Sequence, residues 1–386
     1  MNVVFAADYI APSPGAFIAS LKYLGKHLVN EGNRVAFLFS EPRSYLKQLR
    51  RYGPVYLCKK TANRKFSMDA LMKMKQAVME IRADIVHIQF VGLAYLLAAI
   101  ILKPFFRYRL IVHWRCIPEG AIRNDLYHNF TPFLYKIFSA IFIDAHIAIS
   151  ETIKEILIRK NFASPAQVQV IYNGVDPAEF SNSNEGKAQV LIEQLTGKRL
   201  SSRFVVGMIA DYSVEKDHET FIKAADSVRK KHPNAIFLII GSERKYFGIG
   251  MKERLVKMIE SCDLQENVIL LDNLPYATRV IPSFDVGVLC SHYEGFGNVL
   301  VEYMMAGKPV IGTHAGGIAE IIEDGVTGFL IAPRDYEGLA EKIIYLLGDS
   351  ELRERMGKNA QRVAEARFSL SQWAEKIRAL YRSLLI

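Results

Sequence analysis

Short apolar runs alternate along this chain with stretches whose apolar residues fall at helical spacing, and that alternation limits the folds open to it. VVFAA (3–7) is followed by a stretch carrying Phe17, Leu21, Leu24 and Leu28 on one helical face. Further β-rich runs come at 34–39, 54–57, 84–89, 110–113, 145–149 and 168–171, mostly with helical stretches between them. The runs are apolar at successive positions, as parallel strands covered on both sides by helices require. YNGVDPAEFSNSNEG (172–186) breaks the pattern with Asn, Gly, Pro and Ser and reads as a linker. The alternation then restarts, with strands expected at 204–209, 235–241, 268–271, 285–289 and 309–312 and a helix over 217–231. Three helical stretches close the chain, the last with Ile377, Leu380, Tyr381 and Leu384 on one face.

At 386 residues the chain is too long for one ordinary core, so two α/β domains are expected. Paired sheets of this kind bind ligands beyond the carboxyl ends of their strands, which places a cleft between the two domains. The four cysteines, Cys58, Cys116, Cys262 and Cys290, are scattered without a CxxC, which speaks against a disulfide framework or a zinc site and for a reducing compartment. The first residues carry Asp8 and no basic stretch, so they read as a strand and not a signal peptide. The longest uncharged apolar run, 91–102, is shorter than the ~20 residues of a membrane span. A cytoplasmic location is therefore expected. The formal charge of +9 is uneven: residues 1–180 hold 23 Lys and Arg against 13 Asp and Glu. Ten of those cations lie in 43–75, where Asp69 is the sole acid.

Four features fall at strand ends or helix starts. PSPGAF (12–17) turns into a helix whose first amides can face an anion, or it is merely a turn. Glu215-Lys216-Asp217-His218 sets a lysine beside a helix N-terminus, which suits a phosphate as well as a solvated turn. His87 and His113 close consecutive strands; a lone histidine is ordinarily structural, but two at strand ends favour a role for at least one. SHYEGFGNVLVEYMMAGKPVIG (291–312) spaces Glu294 and Glu302 eight apart around Gly295 and Gly297, and THAGGIAEIIEDGVTGF follows with Gly316-Gly317 before a short helix. Carboxylates there complement a helix dipole, or they accept from a ligand rich in hydroxyls.

The series E-G-F-G-x-x-x-x-E, A-G-K-P-V-I, G-G-I-A-E-I-I and D-G-V-T-G-F resembles the donor half of family 4 of the retaining glycosyltransferases. The likeness continues in E-K-D-H (215–218), I-Y-N-G-V-D (171–176), I-A-I-S-E-T (147–152) and the turn at Gly15. It implies the GT-B fold, two Rossmann-like domains with parallel sheets facing a central cleft. The acceptor side would be 1–172, the nucleotide-sugar donor side 173–366, and the last helix, 367–386, would pack back on the first domain. It also implies roles. Glu302 would accept the ribose hydroxyls, and Glu294 would contact the donor sugar near the amides of Phe296, Gly297 and Asn298. Lys216 would neutralise the leaving diphosphate, with Gly15 donating its amide, and His113 would lie against the sugar. The catalytic set would thus be His113, Lys216 and Glu294. The chain has no Asp-x-Asp, so a metal-independent reaction without cofactor is expected, lysine and helix dipoles stabilising the diphosphate.

Two departures stand out. Asp211 occupies the place of a family arginine five residues before the lysine, with Arg115 and Arg244 as candidate compensating cations, and Gly15 is followed by Ala16 where the family often pairs glycines. The expected activity is transfer of a hexose from a nucleotide sugar, with retention, in surface polysaccharide or glycolipid synthesis. The competing readings are a GT-B 2-epimerase and a non-catalytic sugar-nucleotide-binding partner. The basic window, with the aromatic stretches 103–109 and 130–142, suits an anionic membrane surface and a lipid-linked glycan or glycolipid acceptor. Stacking aromatics are too sparse among the cations for nucleic acid.

Overall fold

The computed structural model describes residues 1–9, 15–58, 67–90, 92–116, 137, 139–181, 185–200, 203–243, 250–272, 274 and 277–386. It divides into two compact units, Met1–Gly174 with Leu370–Ile386, and Val175–Ser369.

The first unit is built on β1 (Val3–Ala7), β2 (Val35–Phe39), β3 (Val55–Leu57), β4 (Ile85–Gln89), β5 (Arg109–Trp114), β6 (Ala145–Ala148) and β7 (Val168–Val170). They form one parallel sheet in the order β3-β2-β1-β4-β5-β6-β7. β1, β2 and β4 are buried at every position, which is why their sequences lack polar alternation. The helices are α1 (Gly15–Asn30), α2 (Met68–Ile81), α3 (Leu93–Phe106) and α4 (Glu151–Arg159). Ser67 caps α2 by accepting from the Ala70 amide at 3.2 Å, and Ser150 caps α4 from Ile153 at 3.1 Å, each satisfying a donor the helix cannot.

The second unit opens with α5 (Ala178–Ser181) and α6 (Glu185–Thr196), then alternates β8 (Val205–Ile209), α7 (His218–Arg229), β9 (Ile236–Gly241), α8 (Met251–Ser261), β10 (Val268–Asp272) and β11 (Val286–Leu289). There follow α9 (Asn298–Met305), β12 (Val310–Thr313), α10 (Ile318–Ile321), β13 (Gly328–Ile331), α11 (Tyr336–Gly348) and α12 (Ser350–Phe368). Its parallel sheet runs β10-β9-β8-β11-β12-β13. In both sheets the strand order reverses once, between β1 and β4 and between β8 and β11, and such reversals open a crevice at the carboxyl ends. Two parallel-sheet α/β units of this kind are the GT-B fold.

The final helix, α13 (Leu370–Leu385), belongs to the first unit, where Leu370, Trp373, Ala374, Ile377 and Tyr381 join the core formed by α1 and the sheet. Several sequence expectations need correction. The stretch 172–186 is not plain linker: it contains α5, and Val175 is bridged to Ser369, its amide donating to the Phe368 carbonyl at 2.9 Å. Gly328–Ile331, which was not among the expected strands, forms β13. His87 does not close its strand; it faces Ile111, while Gln89 is the residue in register with His113.

In the basic window, Lys47, Arg50 and Arg51 are exposed on the 3-10 stretch Ser44–Arg51, whose Tyr45, Leu46 and Leu49 are buried. Arg43 pairs with Glu41 at 2.7 Å. Lys59, Lys60, Arg64 and Lys65 lie outside the described residues, as do Pro12 to Pro14, Arg244 and most of 130–142. Of the nearer aromatics, Phe105 is 77% exposed, whereas Tyr108 is core and donates to the Ala99 carbonyl at 2.5 Å. Among the described residues no helix is long and apolar enough to cross a membrane.

Candidate active site

Three loops leave the carboxyl ends of the neighbouring strands β8, β11 and β12 and carry the second unit's candidate residues. The first holds Asp211 and Lys216, the latter ending the 3-10 turn Val214–Lys216. Asp217, at φ 48°, then caps α7 by accepting from the Thr220 amide at 3.3 Å. The second loop runs from Cys290 to Gly297, and Gly297 at φ 104° turns the chain into α9, a conformation open to glycine and costly elsewhere. The loops are tied together: the His292 amide donates to the Glu215 carbonyl at 2.8 Å, and the Ile209 amide donates to the Tyr303 hydroxyl at 2.7 Å. The third loop brings Gly316 and Gly317 flush against the second. Gly317 donates its amide to the Glu294 carbonyl at 3.0 Å, and a Cβ on Gly316 would meet that carbonyl at 2.1 Å.

On this frame Lys216 and Glu294 form an ion pair, and Ser291 Oγ donates to the same Glu294 oxygen at 3.3 Å. Phe296 turns its ring inward against Phe368, centroids 5.7 Å apart, so only its backbone faces the loop. Asn298 is the first residue of α9 and Glu302 the fifth, one turn further in than a helix start. The Glu302 carboxyl has no hydrogen-bond partner among the described residues. Removal from water, with the Glu179 carboxylate adding to it, raises it from 4.5 to about 8. Near neutrality this group holds a proton and can both donate to and accept from hydroxyls. Asp211 accepts from Ser242 Oγ at 3.5 Å.

The raised carboxyl gives a testable pH dependence. Between 4.5 and about 8 the folded protein keeps a proton that the unfolded chain has released, so stability falls as pH rises through that window. Glu302→Gln removes the penalty. Its stability relative to wild type, from urea unfolding, is expected to be clearly greater at about pH 8.5 than at about pH 5. A difference independent of pH would show that Glu302 titrates normally.

In the first unit, Gly15 opens α1 at φ 52°, where a Cβ would lie 3.2 Å from the Tyr9 hydroxyl. His113, near the end of β5, is fully buried with neither ring nitrogen hydrogen-bonded among the described residues. Burial and the nearby Arg115 charge hold it well below the usual histidine range, so the ring is neutral. It stacks on His87, centroids 5.4 Å apart at 11°. His87 is committed to the fold through its Nδ1 contact of 2.6 Å with the Tyr381 hydroxyl of α13, and burial takes it down to about 3. The structure therefore gathers Lys216, Glu294, Phe296, Gly297, Asn298 and Glu302 in the second unit, and Gly15 and His113 in the first. The sequence reading missed the partners of Arg115, which span the first unit from Ser20 to Trp373.

Both the fold and the sequence resemble those of known proteins. HepE from Anabaena, solved in complex with UDP and glucose, superposes with a TM-score of 0.83 at 22% identity, covering 99% of this chain and 100% of that one. The family model "Glycosyltransferase Family 4" matches residues 19–179, and "Glycosyl transferases group 1" matches 196–363. The fold is that of the GT-B class, and both matched models describe glycosyltransferases. The family 4 match falls in the first unit but for its last five residues, and the group 1 match falls wholly within the second. The capsular polysaccharide biosynthesis glycosyltransferase CapM of Staphylococcus aureus is 29% identical over 62% of this chain and 61% of its own length, so the match spans less than two thirds of that relative. The N-acetyl-alpha-D-glucosaminyl L-malate synthase of Bacillus anthracis is 22% identical over 94% of this chain and 92% of its own.

Proposed function

We propose that the protein transfers a hexose from a nucleotide sugar to an acceptor hydroxyl with retention at the anomeric carbon, in surface polysaccharide or glycolipid synthesis. The observation that carries this reading is the Lys216–Glu294 pair at the strand-order reversal of the second sheet, beside a helix whose Glu302 carboxyl lacks a hydrogen-bond partner among the described residues. A protonated Glu302 suits ribose hydroxyls. Lys216 suits the diphosphate that separates as the anomeric C–O bond breaks, while the acceptor oxygen bonds to the same face and its proton passes to the departing phosphate oxygen. His113, neutral and without a ring partner among the described residues, offers a hydrogen bond to an uncharged sugar hydroxyl. With a lysine in place, the reaction needs no metal. Incubating the protein with a panel of nucleotide sugars and glycolipid acceptors in EDTA, then assigning the product anomer by NMR, tests all of this. Loss of turnover on chelation, restored by a divalent ion, overturns the metal-free part, and an inverted anomer overturns retention. Donor binding without turnover favours the second reading, a non-catalytic binding partner, for which the carboxylate of Asp211 close to Lys216 in sequence is the supporting observation.

The exposed Lys47, Arg50 and Arg51 support docking of the first unit on the cytoplasmic leaflet of an anionic bilayer, where each such cation contributes about 1 kcal/mol. Reversing all three to Glu is expected to weaken binding to anionic vesicles by about a hundredfold or more while leaving donor affinity unchanged. Equal binding of wild type to neutral and anionic vesicles would point to a soluble acceptor instead.

A further inference from the structure

Arg115 follows β5 directly and lies half-buried in the first unit. Its Nε donates to Gln89 Oε1 at 2.7 Å, Nη1 to Asn173 Oδ1 at 3.1 Å and Nη2 to Ser20 Oγ at 3.3 Å. The guanidinium carbon lies 5.0 Å from the ring centre of Phe17 and 5.5 Å from that of Trp373. All five partners are neutral, and among the described residues no carboxylate pairs with this cation. Guanidinium has about five N–H groups, so one on each Nη is still unused.

The surroundings are rich in donors and poor in acceptors. Among the described residues the fully buried Gln89 leaves its amide nitrogen without an acceptor, and the buried Trp373 leaves its indole nitrogen likewise. His113, two residues away, has no partner for its ring among the described residues, and the neutral ring can donate from one of its nitrogens. Burial without a countercharge lowers Arg115 to about 9, and the groups that pull it back up are the phenols Tyr9 and Tyr381, not acids. Withdrawing a cation from water costs several kcal/mol unless an anion is supplied. A neutral side chain could fill this space between two aromatic rings without that cost.

We propose that Arg115, with the Gln89 amide and the His113 ring beside it, is a binding site for a substrate oxyanion, a phosphate or carboxylate group. This rests on the transferase reading, under which two sources are available: the diphosphate of the donor and an anionic group on the acceptor. A planar fork with free N–H groups on adjacent nitrogens matches two oxygens of either.

Titration of the full chain with inorganic pyrophosphate and, separately, with inorganic phosphate, followed by 31P line broadening, tests the site without requiring turnover. It can therefore succeed even where the transferase reading fails. Arg115→Met is expected to weaken at least one anion by about tenfold with the fold retained by circular dichroism. Loss confined to pyrophosphate identifies the donor diphosphate, and loss confined to phosphate identifies the acceptor group. Arg115→Lys keeps the charge without the fork and is expected to fall between the two, and it serves as the test should the methionine variant not fold. Unchanged affinity for both anions in the folded variants, or no binding of either by wild type, overturns the proposal.

Discussion

Lys216→Ala is expected to lower kcat by about a hundredfold to a thousandfold while intact donor binds nearly as well. The separation of effects follows from when the charge is needed. A glycosyl diphosphate gains negative charge on its bridging oxygen only as the bond breaks, so a fixed cation there acts on the transition state more than on the ground state. Lys216 is held by Glu294, and that pairing makes a second variant informative. Glu294→Ala releases the lysine, so the free nucleoside diphosphate should bind more tightly even though turnover falls. Comparable losses of kcat and donor affinity in Lys216→Ala would mean that the lysine only holds the ground state. A kcat within threefold of wild type would remove it from the reaction altogether.

Gly316→Ala is expected to cost roughly 2–4 kcal/mol of stability and to damage donor binding with it. Its φ of 55° already disfavours a side chain, and the added Cβ would lie 2.1 Å from the Glu294 carbonyl oxygen. That oxygen belongs to backbone and accepts from the Gly317 amide, so the whole loop must move and take Glu294 with it. Gly325→Ala is the control. Its φ of 74° is equally unfavourable, but nothing lies within 4 Å of the new methyl, so only the backbone term of about 1 kcal/mol applies. Urea unfolding of the two variants gives the steric term by difference. Equal losses would show that the glycine pair is a turn and not a fitted contact.

Much of this architecture was legible because buried parallel strands cannot hide their composition. Val3–Ala7 and Val35–Phe39 are apolar at each position, and the helices between strands keep their 3.6-residue stripe. Gly328–Ile331 escaped because four residues beginning with glycine give too short a run to separate from a turn. His87 was misplaced for a different reason. Proximity to the end of an apolar run says nothing about the register between strands, and register puts Gln89 and not His87 level with His113. The carboxylates and the lysine were visible as motif spacing, but their pairing across 78 positions was not. Nor could spacing reveal that Arg115 has five neutral partners and no acid among the described residues, since they come from four separate stretches of the chain.

The return of Leu370–Ile386 to the first unit has a consequence for synthesis on the ribosome. The second unit is one unbroken segment, Val175–Ser369, and has all its residues as soon as Ser369 has cleared the exit tunnel. The first unit, although begun earlier, lacks Trp373, Ile377 and Tyr381 until the whole second unit has been made, and with them the hydroxyl that meets His87. The order of completion thus reverses the order of synthesis. A nascent chain stalled just short of Leu370 exposes the apolar α1 surface that Trp373 and Ile377 later cover, a surface of the kind chaperones bind.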